Sequence, residues 1–439
     1  MNTDNSLARR ALLALGLMIG FYVLALSIAG ILLWIPYSVW VYLGRVQVKI
    51  AFVCIASGLT VVWAILPRID RFIPPGPRLD EGSCPDLFRM IREVAAATNQ
   101  EEPADVYVVN EVNAWVTHRG GIMGFGSRRV MGIGLPLIQG ISQQELKAII
   151  AHEFGHYSSG DVSLGPWIYK TRAAIGRAIQ GVHESWLEAP FQWYGTMFLR
   201  ITHGVSRQQE FIADQVAAKV AGAAVAASAL RQVTGLAPAF SAYMGNELVP
   251  VMRAGFLPPV ASGFNAFLKE ERISKLASDV IEHAEREDDT DEFDTHPSLK
   301  QRLEALGQFG PTTVPARSDD APAATLLPDA ERHAMAAVRV AFGPESVEGL
   351  KPLSWAEVAD CVLVPGWRSV ATDYAKWLSS FTVDTLPKTN EDRRARAAGR
   401  SAQLLPPTRR TLRRRSPRSG CSAPRGHWRM ARFAPSSCA

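Results

Sequence analysis

Residues 11 to 35, "ALLALGLMIGFYVLALSIAGILLWI", are 25 consecutive positions without a charged side chain. At 1.5 Å per residue, a helix of that length exceeds the ~30 Å hydrocarbon layer of a bilayer. A cleaved signal peptide is the rival reading. The run is too long for that, lacks a small-residue cleavage site, and is followed by a second apolar run from Ile50 to Leu66. Counted from Val46, with Lys49 reaching back to the interface, the second run also attains spanning length. The expectation is a membrane hairpin, residues 1–66, with spans at about 11–35 and 46–66.

Basic residues orient such a hairpin. Arg9 and Arg10 precede the first span and Arg68, Arg71 and Arg78 follow the second, against Arg45 and Lys49 in the turn, which favours both ends in the cytoplasm. The five cysteines, Cys54, Cys84, Cys361, Cys421 and Cys438, show no disulfide or metal spacing, as suits a reducing compartment. From Arg393 to the end there are 13 arginines and no acidic residue; without them the formal net charge of +5 becomes −8 over the preceding 392 positions. The body therefore gives no reason to expect a nucleic-acid partner. The tail, 393–439, lacks apolar periodicity and reads as disordered.

After a Pro/Gly-rich linker, 67–83, the stretch "CPDLFRMIREVAAAT" spaces Leu87, Met90, Ile91 and Val94 helically behind Pro85. "DVYVV", "NAWVTH" and "RVMGIG" then read as a small antiparallel sheet, whose edge could receive an extended peptide or simply cover a core. Residues 162–205 are aromatic but interrupted by Pro190 and Gly195, too broken for a third span. From Ser206 an Ala-rich helix begins, with Ser206 and Gln209 in capping-box positions. Residues 266–308 are helical at both ends around "EREDDTDEFD", an acidic loop that is solvated in the ordinary case and lacks EF-hand spacing for calcium. A second linker, 310–328, precedes a helical segment, 329–392, in which no chemistry is apparent.

The chemistry lies in "LKAIIAHEFGHYSSGD". Four residues apart on a helix, His152 and His156 share a face, where two imidazoles reach one ion; Glu153 stands one step round. Ser142, Glu145 and the Ile141/Leu146 pair supply a capping box and staple that start this helix where the motif needs it. Such a pair suits zinc in a hydrolytic site, with a third protein ligand, a water in the fourth position and the glutamate as general base. The third ligand is not the histidine six residues after His156, since that position is Val162. Glu184, Glu188 and Glu210 are candidates. Glu210 is favoured, because Asp214 lies one turn on and can accept a ligand histidine's N–H.

Two N-terminal spans, "NAWVTHRGG", the histidine motif, "SRQQEFIADQVAA" and "THPSLKQRLEAL", in this order, resemble the HtpX-like membrane zinc metallopeptidases, relatives of the CAAX prenyl proteases. The resemblance covers roughly residues 10 to 310. It implies one zinc ion per chain held by His152, His156 and Glu210, with Glu153 as catalytic base and Asp214 as supporting carboxylate. It also implies Asn113 and Ala114 on the substrate edge strand, and His296, Pro297 and Arg302 in a His-Pro-x-x-x-x-Arg element. His296 then either donates to an oxyanion or latches onto the open zinc position; the plainer reading is a satisfied turn residue. HtpX proper carries further apolar spans where this chain has its interrupted aromatic segment.

These readings converge on an α+β, mainly helical fold: a zincin-like, gluzincin-type domain at 84–309 behind a transmembrane hairpin. The function expected is zinc-dependent hydrolysis of peptide bonds in membrane or misfolded proteins, with the lipid bilayer as the other partner. The rival class is a non-catalytic membrane scaffold or chaperone-like protein that keeps zinc for stability; an intact Glu153 argues against it, because structural zinc requires no base.

Overall fold

The two apolar runs form helices α1 (Asn2–Leu43) and α2 (Val48–Ile65), which pack against each other and are long and apolar enough to cross a bilayer. The computed structural model of the protein describes residues 2–45, 47–66, 72–120, 126–157, 165–287, 296–309 and 320–375. The acidic-loop residues 288–295, most of the second linker and the Arg-rich tail lie outside them.

Helix α3 (Pro85–Ala97) begins with proline at its first position, where the missing N–H costs nothing, and buries Leu87, Met90, Ile91 and Val94. Strands β1 (Asp105–Val109), β2 (Ala114–Arg119) and β3 (Arg128–Gly134) form one sheet in the order β1-β3-β2. The sheet is mixed, a correction to the antiparallel expectation: β2 and β3 are antiparallel, but β1 and β3 run parallel. In it β3 enters between β1 and β2. Gly132 admits it, since a Cβ there would lie 2.3 Å from the Trp115 ring on β2.

Two helices, α4 (Leu135–Gly140) and α5 (Gln143–Gly155), follow the sheet, and α6 (Gly165–Gly181) and α7 (Glu188–Ala221) return across α5 and the hairpin. The unbroken α7 corrects the reading of its sequence. Pro190 stands in its first turn, where proline is tolerated, and Ser206 lies inside the helix instead of starting one. Aromatic residues of this stretch are core, packed against the hairpin. Phe191, Tyr194 and Phe198 are buried with Ala14, Met18, Phe21 and Ala25 of α1 and Val61 and Ala64 of α2. Tyr194 donates its hydroxyl to Leu17 O at 2.6 Å, and Arg177 donates Nε–H to Ala64 O at 3.0 Å, satisfying a carbonyl at the C-terminal end of α2.

Beyond α7 come α8 (Ala223–Ala242), α9 (Val249–Arg253), β4 (Phe256–Leu257), α10 (Val260–Leu268), α11 (Glu271–Arg286) and α12 (Leu299–Gly307). A separate segment was expected from residue 329, but the chain up to Pro352 belongs to the same unit as the rest. The described end of the second linker is bonded to the start of α5, with Gln143 N donating to Ala321 O and Ala323 N to Ile141 O. Helix α13 (Ala330–Phe342) then seats Glu331 on the first N–H groups of α10, and α14 (Pro344–Val347) leads to β5 (Lys351–Pro352), parallel to β4. A carboxylate at a helix N-terminus needs no apolar periodicity of its own, so sequence pattern gave no warning of this attachment. A second unit starts at Leu353; its described part ends in α15 (Val364–Asp373).

Candidate active site

The capping box at the start of α5 forms as expected. Glu145 N donates to Ser142 Oγ at 3.2 Å, and Ser142 N donates to Glu145 Oε2 at 2.9 Å. Twelve residues on, the helix ends with His152 in its last turn and His156 as its cap. Between the two histidines, Gly155 is the point where α5 meets α7: a Cβ there would lie 2.8 Å from Ala213 Cα and 3.1 Å from Val216 Cβ. This close approach brings the carboxylates of α7 to the imidazoles of α5.

Donor atoms of His152, His156 and Glu210 all lie within 4.8 Å of one another. Glu210 Oε2 is 3.4 Å from His152 Nε2, and Glu210 Oε1 is 3.7 Å from His156 Nε2. The two rings meet edge to face, with centroids 4.8 Å apart. Two imidazoles and one carboxylate are the donor set of a catalytic zinc site, which leaves one position open; the residues present fit that metal. Glu184 and Glu188 are not in the cluster. Glu184 lies exposed in the α6–α7 turn, and Glu188 accepts from its main-chain N–H at 2.9 Å and from Gln192 Nε2 at 2.6 Å.

Behind the cluster, Asp214 Oδ1 lies 3.0 Å from His152 Nδ1. A bond there holds the proton on Nδ1 and orients the ring so that Nε2 faces Glu210. Arg302, from α12, holds Asp214 and also approaches Glu210 Oε2 at 3.5 Å. Its position at the centre of the charge network is what sequence reasoning missed; only the spacing of the His-Pro element pointed to it. His296 closes the front, its Nδ1 2.9 Å from Glu210 Oε1, with its side chain 48% exposed.

Burial sets the proton affinities. Glu153 is pushed up to about 7 by desolvation, partly offset by the charge of His152. His156 is pushed down to about 4, by burial first and then by the neighbouring His152. Burial would lower His152 as well, but its bonds to Asp214 and Glu210 outweigh that and raise it to about 9. Glu210 is held far below the usual carboxylate range, because the bonds from His152 and His296 and the Arg302 charge overcome its desolvation. At neutral pH these residues by themselves therefore comprise an ionised Glu210, a charged His152, a neutral His156 and a Glu153 near its midpoint.

Asn113 and Ala114 stand where β2 begins, at an outer strand of the sheet. Asn113 O accepts from Gly134 N at 2.8 Å, and Ala114 is buried. Tyr157, the residue after His156, donates its hydroxyl to Val116 O at 2.6 Å and so ties β2 to the end of α5. No sequence signal singled it out.

Comparison with known proteins gives the family. The family model described as Peptidase family M48 matches residues 83–309. "Protease HtpX homolog 2" of Methanosarcina mazei is 26% identical over 249 residues, covering 52% of this chain and 74% of the relative. "Protease HtpX homolog" of Methanocaldococcus jannaschii is 26% identical, covering 52% and 76%, and "Protease HtpX" of Idiomarina loihiensis is 27% identical, covering 51% and 71%. No solved structure is a significant match. With more than half of its length matched, in the region that builds the histidine and carboxylate cluster, the chain belongs to peptidase family M48, among its HtpX-like metalloproteases.

Proposed function

We propose that the chain is a membrane-anchored zinc endopeptidase acting on membrane or misfolded proteins. The convergence of His152, His156 and Glu210, with the partly buried Glu153 beside them, carries this reading. The three hold one Zn²⁺, which when bound supplies Lewis-acid polarisation and a water of lowered pKa. Glu153 takes the proton of the attacking water and returns it to the leaving amine. Asp214 keeps His152 in its tautomer, and Arg302 places one positive charge beside both carboxylates of α7. His296, at the rim, can donate to the oxyanion. An extended substrate pairs with β2 at Asn113 and Ala114.

In this reading residues 84–309 are a zincin-like domain of gluzincin type, α1 and α2 are its membrane anchor, and the domain faces the cytoplasm. The apolar faces of both helices support the anchor: Leu26, Ile31, Trp34, Phe52, Val53 and Trp63 are all exposed. The alternative, a zinc-containing scaffold, gains nothing from a base at Glu153. Cleavage of a generic unfolded protein, with and without chelator, tests the proposal. Glu153→Gln should retain zinc and lose turnover by at least 100-fold, on the scale of removing a general base; full activity in that variant refutes it.

A further inference from the structure

One end of the three-stranded sheet gathers positive charge. β1 starts there with Asp105, β2 ends there with Arg119 and β3 starts there with Arg128. Arg119 and Arg128 are directly opposed in the register, so both stand on one face of the sheet. Like charges in that relation destabilise a strand pair. The buried Asp105 meets Arg78 at 2.8 Å and Arg128 at 2.9 Å, so one carboxylate is shared by two guanidiniums whose side chains are 66% and 55% exposed. Positive charge is left in excess at the surface.

An apolar pair of residues lies among these cations. The guanidinium carbons of Arg119 and Arg128 lie over the ring of Phe72, 5.6 and 5.5 Å from its centroid, and that ring packs 5.5 Å from the ring of Tyr107 on β1. Phe72 and Arg119 are partly exposed, and Ile73 is 77% exposed. This segment continues directly from the hairpin. Phe72 follows Leu66, the cap of α2, by six residues, which places it within about 21 Å of that helix end. Further on, Leu79 N donates to Val106 O at 2.8 Å and Val108 N to Pro77 O at 2.9 Å, pinning the linker to β1. The charged end of the sheet is thus kept within reach of the end of α2.

We propose that this end of the sheet, formed by Phe72, Ile73, Arg78, Arg119 and Arg128, docks onto the anionic phospholipid headgroups of the bilayer that α1 and α2 enter. The inference rests on the reading of α1 and α2 as a membrane anchor. A guanidinium offers phosphate a planar pair of donors, and apolar side chains beside it can enter the headgroup layer. The body of the chain is acidic, so the positive charge is local, and it stands where an anionic surface is close enough to attract it. Phosphates between Arg119 and Arg128 relieve their mutual repulsion. Such a contact seats the sheet on the membrane by one end, while the opposite end carries Ala114.

The test uses the full chain in lipid nanodiscs, either of phosphatidylcholine alone or with about one third replaced by phosphatidylglycerol. Hydrogen–deuterium exchange of residues 72–79 is followed. Exchange there should slow by roughly fivefold or more in the anionic discs, the scale of one or two basic residues at an anionic surface. The difference should vanish at high salt, which screens exposed charges. Arg119→Gln combined with Arg128→Gln should abolish it, whereas Arg119→Lys combined with Arg128→Lys should keep most of it; native exchange in α5 checks that each variant folds. Equal exchange of the native protein in both discs, or a difference that survives the double glutamine change, overturns the proposal and leaves the anchor and peptidase readings intact. The same slowing in neutral discs by glycerol phosphate assigns the patch to a soluble phosphate, and by an RNA oligonucleotide to nucleic acid; either result overturns lipid docking. A chain that does not enter the discs overturns the anchor reading and this proposal together.

Discussion

Arg302 grips Asp214 through two hydrogen bonds, Nε to Oδ2 at 2.8 Å and Nη2 to Oδ1 at 2.6 Å, across 88 residues of sequence. The same guanidinium faces Glu210, so one cation serves both buried carboxylates of α7. The planar fork of arginine makes this double grip, which the point charge of lysine cannot copy.

Removing that cation strands two buried anions. Arg302→Met should destabilise the chelator-treated protein by about 3 kcal/mol, the scale of breaking a buried pair from one side. Chemical or thermal unfolding in detergent measures it. A loss below about 1 kcal/mol would mean that the pair is screened by solvent despite its burial.

The carboxylates of α7 and of the α6–α7 turn should separate in a metal assay. Glu210→Ala should lose most of its zinc, whereas Asp214→Ala should bind it roughly 10- to 100-fold more weakly, as supporting carboxylates do. Glu184→Ala should retain zinc like the native protein, since Glu184 lies exposed in the turn before α7. Metal content of the three purified variants decides the ligand assignment; a zinc-replete Glu210→Ala would reverse it.

Close packing at the motif glycine is open to a direct test. Gly155→Ala places a methyl against the backbone of Ala213, which has no flexible end to yield. Forcing α5 from α7 should cost about 1 to 3 kcal/mol and lower zinc affinity together, because Glu210 rides on the displaced helix. Unchanged stability with native zinc content would show that the helices tolerate a wider spacing.

Orientation follows from the basic flanks. A reporter inserted after Ser83, between α2 and α3, should behave as cytoplasmic, in keeping with the five arginines that flank the hairpin's outer ends. Activity of a periplasmic reporter at that position would invert the topology.

The cluster was legible where its geometry is local. His152 and His156 face one way because a helix repeats every 3.6 residues, and the capping box that starts α5 lies within four residues of itself. Glu210 and Asp214 share a face for the same reason. The helical nature of α7 was legible too, but not its extent. Pro190 carries the same local signal whether it ends one helix or opens another, and only its place in the first turn of α7 separates the two.

Sequence alone thus determined the elements and the chemistry each one offers: two apolar helices, a capped helix with paired imidazoles, and a helix with paired carboxylates. Tertiary structure decided which of these meet. The insertion of β3 between β1 and β2, the seating of Arg302 on Asp214, the Tyr157 phenol on Val116 and the docking of α13 through Glu331 join residues between 41 and 88 positions apart, the first excepted. Hydrogen bonds within a turn leave a period in the sequence, because the backbone itself brings the partners together. Contacts made by close packing leave none, since any residue of suitable size and charge elsewhere in the chain can fill the place.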